Sequence, residues 1–585
     1  MQKVISMRFF VCLLFSIIVL LAGSDSIRCF ASNELIRQQE QIQRDQEAQR
    51  QKFKQQHEDV LEKKPSRIEL DQPPPTSESA ETDVCVQIDS ILFVGTTLLS
   101  HSEKTGLLEP FIGRCLSMAH INELVRATTN LYIRRGYVTT RAFVPAQDLA
   151  SRRLEIRVIE GEIESISLND DSPSDRRQIA MAFPSGIVGK PLNLRDIEQG
   201  MDQLNRLPSG NAQLRIEPGK KVGASRIVVT DQPGKMWRFR VGLDNSGQKS
   251  TGEIKAFASV DKDNLLGLSD MLSLNLSGDA KALLDMSRLG SRSISAYYTV
   301  PFGYWSVTAS AGVSEYHTHL EGGGAEYLSD GRTSTYGLDL NRVMHRGSQS
   351  KTTAGVSFAV KDVDNFIEKE RLVAGSYDLS ILGVSLGHHR RIFDGVLGLG
   401  GEFNLGLPLF GAERDEFSER SVPKHEFQKF SLTGSWMRPF EIAGHPVSFS
   451  TQGEAQWSPD TLYNSERLDL GGRYTVRGFQ LESLGGDSGG YVRNEIAVSL
   501  LPQGQSEWFS SIFNDPQVYA GYDAGFIHRD RDDEYERGVL QGAALGLRSR
   551  GGLIETDFCV ARPLEAPSFL KNRDWEVYWS LNSNF

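Results

Sequence analysis

The last twelve residues, DWEVYWSLNSNF (574–585), decide the fold class of this chain. The odd-numbered positions form an apolar, aromatic face: Trp575, Val577, Trp579, Leu581 and Phe585. The even-numbered positions form a polar face: Glu576, Tyr578, Ser580, Asn582 and Asn584. Side chains of a β-strand point alternately to opposite faces of the sheet. An apolar outer face and a polar inner face are typical of a transmembrane β-barrel, and the in-phase terminal Phe585 favours an outer-membrane barrel.

The same alternation recurs throughout residues 234–585. Apolar and polar positions alternate in segments 237–244, 272–277 and 304–313. The strands of a soluble β-sandwich show the same alternation, with the apolar face inward. Here no long apolar helix offers another way of crossing a membrane, and the amino terminus, described next, predicts export. Membrane strands need about 9–11 residues, and loops of similar length between them would give about 16 strands in this region. We therefore predict a mainly β fold, an antiparallel barrel with an even number of strands.

The amino terminus predicts export from the cytoplasm. Lys3 and Arg8 precede an apolar run over residues 9–22, and small residues follow it. This order is typical of a secretory signal peptide, which we place at residues 1–31 with cleavage after Ala31. The apolar run is shorter than the roughly 20 residues of a membrane-spanning helix. The net charge of −11 argues against a general nucleic-acid-binding protein.

Residues 32–63 predict a polar helix, and residues 64–82 a linker. The first segment is rich in Gln, Glu, Arg and Lys and contains no Pro or Gly, whereas "DQPPPTSESAETD" follows it. A helix that is polar all round is either solvated or lodged in a polar cavity. Its length of roughly 45 Å would match the thickness of a membrane. On composition alone, a disordered tail is an equally good interpretation.

Residues 83–161 and 162–233 predict two small α/β modules in tandem. In the first, helical spacing over residues 121–132 lies between two segments that alternate like strands. The second repeats the pattern more weakly, with helical spacing at Leu194, Ile197, Met201 and Leu204. In an oxidising compartment Cys85 and Cys115 are expected to form a disulfide within the first module, the alternative being two unpaired thiols.

The segment "RYTVRGFQLESLGGDSGG" (473–490) contains the string GDSGG, which surrounds the nucleophilic serine of chymotrypsin-like proteases. Such a protease also needs a histidine and an aspartate beside the serine. No histidine lies in a recognisable nucleophile–base setting, and the neighbouring segments alternate like barrel strands. The chain also lacks a phosphate-binding loop, an HExxH motif and a Cys/His cluster. We therefore predict no enzymatic activity, no cofactor and no metal.

Three strings carry a family resemblance: "LDNSGQKSTG" (243–252), "YYTVPFGYWSV" (297–307) and "GGRYTVRGF…GGDSGGYVRNE" (471–495). Together with the order of the segments, they resemble the outer-membrane transporters of two-partner secretion, the hemolysin/adhesin secretion–activation family. The resemblance implies that the α/β modules are polypeptide-transport-associated (POTRA) modules in the periplasm. It also implies a barrel that secretes a large partner protein, with folding outside the cell as the energy source.

The same resemblance places Val476, Arg477, Gly478 and Phe479 on a long extracellular loop that folds back into the barrel. It implies that the arginine is held by an aspartate of the inner wall, in the segment "AGYDAGF" (520–526). The alternation agrees, because Gly521, Asp523 and Gly525 share the lumen phase of that strand. A charge there needs a partner or water, and arginine can offer a bidentate one. The alternative is a solvated Asp523 and an ordinary loop arginine.

The family implies a large secreted partner: a β-helical hemolysin, an adhesin or a contact-dependent toxin. Outer-membrane lipids and the barrel-assembly machinery are further expected partners. The machinery is expected to recognise Phe585 and Trp579 as a carboxy-terminal signal. A barrel-assembly factor of the same superfamily is the main alternative function. Such factors usually carry more POTRA modules and lack the Gln-rich helix. A passive porin would not need periplasmic modules.

Overall fold

A computed structural model of the chain describes residues 25–61, 85–248, 251–283, 289–322, 325–415, 422–480, 482–500, 511–528, 537–570 and 574–585. Most of the predicted signal peptide and the whole predicted linker lie outside the described residues. The first element, α1, is a single helix over Asp25–Leu61. It therefore begins seven residues before Ser32, the predicted start of the mature chain. Among the helices described, none is both long and apolar enough to cross a membrane.

The first α/β module follows α1. Its elements are β1 Cys85–Ile88, β2 Ser90–Val94, α2 His101–Leu108, β3 Arg114–Ser117, α3 Met118–Arg134, β4 Arg141–Phe143 and β5 Arg153–Ile159. The sheet order is β2-β5-β4, and β1 pairs separately with β3. The amphipathic helix α3 starts at the capping residue Ser117 and buries Ile121, Leu124 and Tyr132 against the sheet. Its buried face is the one that the sequence spacing predicts.

The second module has a similar plan. Its elements are β6 Glu162–Leu168, α4 Pro173–Ala182, α5 Leu194–Asn205, β7 Ala212–Pro218 and β8 Ala224–Asp231. The sheet order is β6-β8-β7, with β6 and β8 parallel. At the junction between the modules the Tyr132 hydroxyl donates to Glu160 Oε1 over 2.7 Å. Burial and this hydrogen bond raise the pKa of Tyr132, so the phenol stays protonated and keeps donating.

The structure joins Cys85 and Cys115 in a disulfide that links the start of β1 to β3. The bridge closes a loop of 30 residues in sequence. Restricting the unfolded chain over such a loop stabilises a domain by about 3–4 kcal/mol. The first module is small, so this contribution is a large part of its stability.

We expect the double variant Cys85→Ser/Cys115→Ser to lose about 3–4 kcal/mol of local stability in the first module. Faster hydrogen exchange of the α3 amides, measured on the full chain in detergent, would report this loss. Exchange in the second module should not change. Peptide mapping of periplasmic material without reductant should recover the two cysteines linked. Alkylation of both thiols before reduction would contradict the prediction.

Sixteen long antiparallel strands then close into a barrel, as the alternation predicts. They are β9 Trp237–Asp244, β10 Lys255–Asp263, β11 Met271–Asp279, β12 Gly290–Phe302, β13 Trp305–Gly322, β14 Ala325–Arg346, β15 Ser350–Ile367, β17 Tyr377–Ile392, β18 Gly395–Leu407, β19 Gln428–Ile442, β20 His445–Trp457, β23 Gly489–Ser499, β24 Asp515–Ile527, β25 Gly538–Arg550, β26 Ile554–Glu565 and β27 Glu576–Asn584. The short strand β16 Glu370–Arg371 folds back and pairs antiparallel with the end of β15.

The barrel closes where β27 pairs with β9 through five residue pairs, from Ser580↔Asp244 to Asn584↔Arg240. The backbone of Phe585 continues this pairing, because its N–H donates to the carbonyl of Phe239 over 2.9 Å. The apolar face of β27 points outward, and Trp575, Val577, Leu581 and Phe585 are exposed there. The outer surface of the barrel is therefore an apolar band that requires a hydrocarbon solvent.

Helix α5 of the second module contacts the barrel. The side-chain amides of Gln199 and Gln203 both donate to the carbonyl of Gly303, each over 2.9 Å, in the turn between β12 and β13. Arg346, at the end of β14, lies 2.6 Å from the carboxylate of Asp202. Because the family resemblance implies that the modules lie in the periplasm, these turns are expected at the periplasmic end of the barrel. Because antiparallel strands alternate in direction, the β13–β14 and β20–β23 connections lie at the extracellular end.

Candidate functional site

The long connection between β20 and β23, residues 458–488, turns into the barrel instead of extending away from it. We call it the inner loop. A 3-10 turn at Asn464–Glu466 and a small hairpin of β21 Leu468–Leu470 and β22 Leu484–Gly486 shape its path. The tip of the hairpin carries Val476–Phe479, the segment that the family resemblance places inside the barrel. Val476 and Phe479 are fully buried in an apolar cluster against the inner wall.

Arg477 of the inner loop binds Asp523 of β24 through both ends of its fork. Nε donates to Asp523 Oδ2 over 2.6 Å and Nη2 donates to Oδ1 over 2.8 Å. The backbone N–H of Arg477 adds a third bond to Oδ2 at 3.1 Å. Asp523 is 0% exposed, whereas Phe526 on the outward phase of the same strand is 51% exposed. The structure thus places the two predicted residues together, in the bidentate geometry that arginine and carboxylate prefer.

A second carboxylate extends the pair into a network. Glu495 of β23 accepts from Arg477 Nη1 at 3.1 Å, and its other oxygen bonds to Arg548 of β25. Arg493 Nε lies 3.8 Å from Asp523 Oδ1. Three guanidinium groups therefore surround two carboxylates in a partly desolvated place. Each charge in such a cluster needs its partners, because an unpaired buried charge is costly.

The backbone on either side of Gly478 is also fixed to the wall. The N–H of Gly478 donates to the hydroxyl of Tyr578 over 2.9 Å, and that hydroxyl donates to Glu576 Oε2 over 2.8 Å. The N–H of Gln480 donates to the same Glu576 oxygen over 2.5 Å. Both wall residues lie on the lumen face of the terminal strand β27. The inner loop is thus held both by β24, through Asp523, and by the terminal strand β27, through Glu576 and Tyr578.

Four glycines make room for this contact. A Cβ on Gly521 would lie 2.1 Å from Arg477 Nη2, and one on Gly525 would lie 3.1 Å from a methyl of Val476. Gly542, on β25, is tighter still, since its Cβ would lie 1.9 Å from the carbonyl oxygen of Arg477. Gly478 has a φ of +101°, in the left-handed region that favours glycine. The loop can reach its binding place only because these side chains are absent.

Gly542→Ala should therefore displace the inner loop as strongly as the loss of a charged partner. The added methyl meets backbone, which cannot rotate away, so we expect secretion to fall at least about ten-fold, the equivalent of 1.4 kcal/mol. Gly312→Ala is the matched control, because its Cβ would meet its nearest neighbour at 3.6 Å. The secreted fraction of the partner, with heat-modifiable mobility as the folding control, measures the effect. Equal secretion by the two variants would contradict the prediction.

The polar helix α1 lies inside the barrel along its length. At its carboxyl end His57 bonds to the hydroxyls of Ser273 and Thr299, at 3.0 and 2.8 Å, near the periplasmic turns. At its other end Gln39 donates to the Tyr316 hydroxyl over 3.0 Å, towards the extracellular end of β13. In between, Lys54 lies 3.2 Å from Asp339. Of the two sequence interpretations, the structure supports a helix lodged in a polar cavity.

Helix α1 and the inner loop also contact each other. Arg44 Nε of the helix lies 3.2 Å from Asp469 of the loop hairpin. Lys361 of the wall is shared, because it lies 3.4 Å from Glu47 of the helix and 2.5 Å from Glu466 of the loop. Glu466 also contacts Lys429 of β19 at 2.5 Å. The helix, the loop and the wall therefore form one charged assembly across the lumen. The wall lysines were not predicted from the sequence, although they lie on the inward phase of their strands, as Asp523 does.

Ser488, the serine of GDSGG, stands at the end of the inner loop, just before β23. Its hydroxyl accepts from the N–H of Ser458 over 3.0 Å and donates to that residue's carbonyl over 3.3 Å. It therefore ties the two ends of the loop together. Within the part of the chain that the structure describes, no group of three or more His, Cys, Asp or Glu side chains could hold a metal ion.

Comparison with protein families gives three matches. Residues 223–549 match the family described as haemolysin secretion/activation protein ShlB/FhaC/HecB. Residues 86–161 match the ShlB-type POTRA domain, and residues 162–218 match a further POTRA domain. The two α/β modules are thus POTRA domains, as the resemblance implies.

Relatives and solved structures agree with this assignment. The outer membrane transporter CdiB of Escherichia coli is 35% identical over 87% of this chain and 84% of its own length. The hemolysin transporter protein ShlB of Serratia marcescens is 32% identical over 71% of this chain and 72% of its own. The solved structure of CdiB from Escherichia coli aligns with a TM-score of 0.82 at 34% identity, covering 94% of this chain and 98% of that one.

Proposed function

This chain belongs to the haemolysin secretion/activation family of outer-membrane transporters, and we propose that it holds its own secretion pore shut until a partner protein arrives. The established part is the pore itself: an outer-membrane barrel that exports a large partner captured in the periplasm. The observation that carries the proposal is the charged assembly of α1, the inner loop and the wall across the lumen.

The two POTRA modules would capture the partner while it is still extended. An extended chain can add a strand to a sheet edge, where main-chain hydrogen bonds provide affinity for many sequences. β2 is an edge of the first sheet and β7 is an edge of the second. Leu92 of β2 and Phe143 of β4 are exposed apolar side chains on the first module. Both modules therefore offer edges on which an unfolded partner could be held.

The partner would then pass through the lumen after the assembly opens. The contacts of α1 with the loop and the wall include ion pairs and polar hydrogen bonds, together with two apolar contacts, one between Ile42 and Tyr316 and one between Phe53 and Phe257. The ion pairs of Arg44 with Asp469 and of Lys54 with Asp339 are partly exposed. Such pairs are individually weak, so a passing chain can replace them one after another. The chain needs no nucleotide under this proposal, because folding outside the cell would draw the partner out. We propose accordingly that it has no catalytic activity.

Two relatives are named hemolysin transporter proteins, and others are named CdiB outer membrane transporters. We propose a partner of the same kind: a large β-helical hemolysin, adhesin or contact-dependent toxin. We also propose that the apolar band contacts outer-membrane lipids. Trp579 and Phe585 would contact the barrel-assembly machinery. The exposed Phe585 at the end of the closing strand is available for such recognition.

The test is to express this chain together with a candidate partner, a large exported protein sought first among the genes next to its own. In a host that lacks both proteins, the partner should reach the medium or cell surface only when this chain is present. Without it, the partner should be degraded in the periplasm, while the levels of unrelated outer-membrane barrels stay constant. A fall in those barrels with unchanged secretion would instead support a barrel-assembly factor.

A further inference from the structure

A group of basic side chains lies on the outer face of the barrel at its periplasmic end. On β14, β17 and β19 the exposed residues Leu340, Leu386 and Leu432 mark the lipid-facing phase. Each strand keeps this phase, with regular pairing, until basic residues replace the apolar ones near the periplasmic turns. We call these residues the basic belt: Arg342 of β14, His388 and Arg390 of β17, and Arg438 of β19.

The basic belt covers one side of the barrel only. On the described strands β23–β27, the outer-face positions near the periplasmic end carry no charged side chain. Among them are Val498, Val518, Leu547, Phe558, Leu581 and Phe585. β10 contributes a single lysine, Lys262, which lies 5.4 Å from the centre of the Trp237 ring. The positive charge is therefore concentrated on β14–β19, as expected of a binding surface, and is not spread evenly around the membrane interface.

Two arginines of the belt flank the start of β18. Arg390 lies opposite Leu397 of β18, and Leu397 lies opposite Trp436, two residues before Arg438 on β19. Adjacent strands are about 4.8 Å apart, so β17 and β19 are separated by about 10 Å, a distance that two arginine side chains can bridge. The indole of Trp436 packs over Gly395, the first residue of β18, because a Cβ there would lie 2.6 Å from Trp436 Nε1. A glycine and an aromatic ring thus form the floor between the two guanidinium groups.

The protein itself neutralises little of this charge. Within the part of the chain that the structure describes, Arg342 and Arg390 make no ion pair, and Arg342 lies 4.9 Å from the centre of the Trp305 ring. Arg438 Nη2 lies 3.5 Å from Asp394 Oδ2, but the two side chains are 44% and 85% exposed, and such pairs are weak. Planar guanidinium groups bind phosphate oxygens in a bidentate manner. The belt is therefore suited to a phosphate ligand.

We propose that the basic belt binds the phosphate groups of anionic glycerophospholipids in the periplasmic leaflet of the outer membrane. This inference rests on the proposed contact between the apolar band and outer-membrane lipids. The belt follows directly on lipid-facing leucines, so a lipid whose acyl chains cover those leucines brings its headgroup to the level of the guanidinium groups. Several arginines at one surface favour a headgroup with a net negative charge over a zwitterionic one.

Lipid bound at the belt would also act on the second POTRA module. β14 carries Arg342 on its outer face, and four residues later Arg346 lies 2.6 Å from Asp202 of α5. The headgroup site and the module contact are thus joined by one short piece of strand. A phospholipid held at the belt would fix the height of this module at the membrane surface.

Lipid titration of the purified full-length chain in detergent, followed by native mass spectrometry, tests the proposal. The probes are phosphatidylglycerol, which has a net negative charge, and phosphatidylethanolamine, which has none. The unaltered chain should bind phosphatidylglycerol more tightly. The double variant Arg390→Gln/Arg438→Gln should bind phosphatidylglycerol about ten-fold more weakly. Lys262→Gln is the matched control, because it removes an outer-face cation outside the belt, and it should bind like the unaltered chain.

Three results would overturn the inference. They are equal binding of the two lipids by the unaltered chain, equal binding of phosphatidylglycerol by the double variant and the control, and displacement of the lipid by an equal concentration of inorganic phosphate. The last result would indicate a site for free phosphate. The comparison of the two lipids stays decisive if a variant fails to fold, which heat-modifiable mobility would reveal. Because no secreted partner takes part, a negative result would leave the proposed transport function intact.

Discussion

Arg477→Ala and Asp523→Ala should each reduce secretion of the partner at least about ten-fold while the barrel still folds and inserts. The reason lies in the buried charge that remains. Removing one partner of a buried, bidentate pair costs about 3–5 kcal/mol, because the other charge is left without compensation. Arg477 also holds Glu495, so its loss disturbs both carboxylates. The inner loop would then populate positions other than the one that the structure shows.

The double variant should secrete no less than either single variant, since both lose the same interaction. Arg477→Lys should recover only part of the function, because an ammonium group cannot bind both oxygens in the same fork. Arg332→Ala is a suitable control: its contact with Glu315 is 3.9 Å long and exposed, and such pairs contribute little. Additive defects in the double variant, or normal secretion by a single one, would show that the pair is not a functional unit.

Removal of residues 33–63 should raise the conductance of single channels in planar bilayers several-fold. An α-helix with its side chains is about 10–12 Å wide, so α1 occupies much of the lumen of a sixteen-stranded barrel. The lumen that remains is lined by polar side chains such as Ser273, Thr299 and Asp339, which water can fill. Secretion should largely persist, because the helix only obstructs the route.

The matched variant for this measurement is Arg44→Ala, which removes the ion pair between the helix and Asp469 of the inner loop. It should keep α1 in place for most of the time, with brief openings to the larger conductance. The deletion should give that larger conductance continuously. An unchanged conductance after deletion would favour the disordered-tail interpretation of this segment.

The alternation of side chains was sufficient to predict the barrel and the direction of Asp523. In β24 and β27 the period of two separates a lipid-facing from a lumen-facing side, and burial in the structure follows that division. The prediction succeeds because one face of a barrel strand contacts lipid and the other contacts the polar lumen. The pairing of Arg477 with Asp523 needed the family resemblance, because 46 residues separate the two and no local pattern joins them.

Other parts of the site could not be predicted from local pattern. Gly542 lies on a strand whose sequence gives no sign that a loop carbonyl approaches it. Glu576 and Tyr578 appeared in the sequence as ordinary polar positions of the last strand, yet they bind the backbone of the inner loop. Such contacts form only when the inner loop, which precedes these strands in the chain, folds back against β25 and β27 of the closed barrel. The helix α1 of the full chain begins at Asp25, before the predicted cleavage site after Ala31, and no local pattern in the sequence marks that start.

The direction of α1 has a consequence for how this protein is made. Its carboxyl end, at His57, lies near the periplasmic turns, and Gln38 lies near the extracellular rim. The polypeptide therefore runs through its own barrel before it forms the POTRA modules and then the strands around that helix. During biogenesis the ring of sixteen strands must either seal around a segment of the same chain or admit that segment after sealing. An epitope inserted just after Ala31, at the amino end of the predicted mature chain, would separate the two orders, since antibody outside the cell would reach it at once or only after a delay.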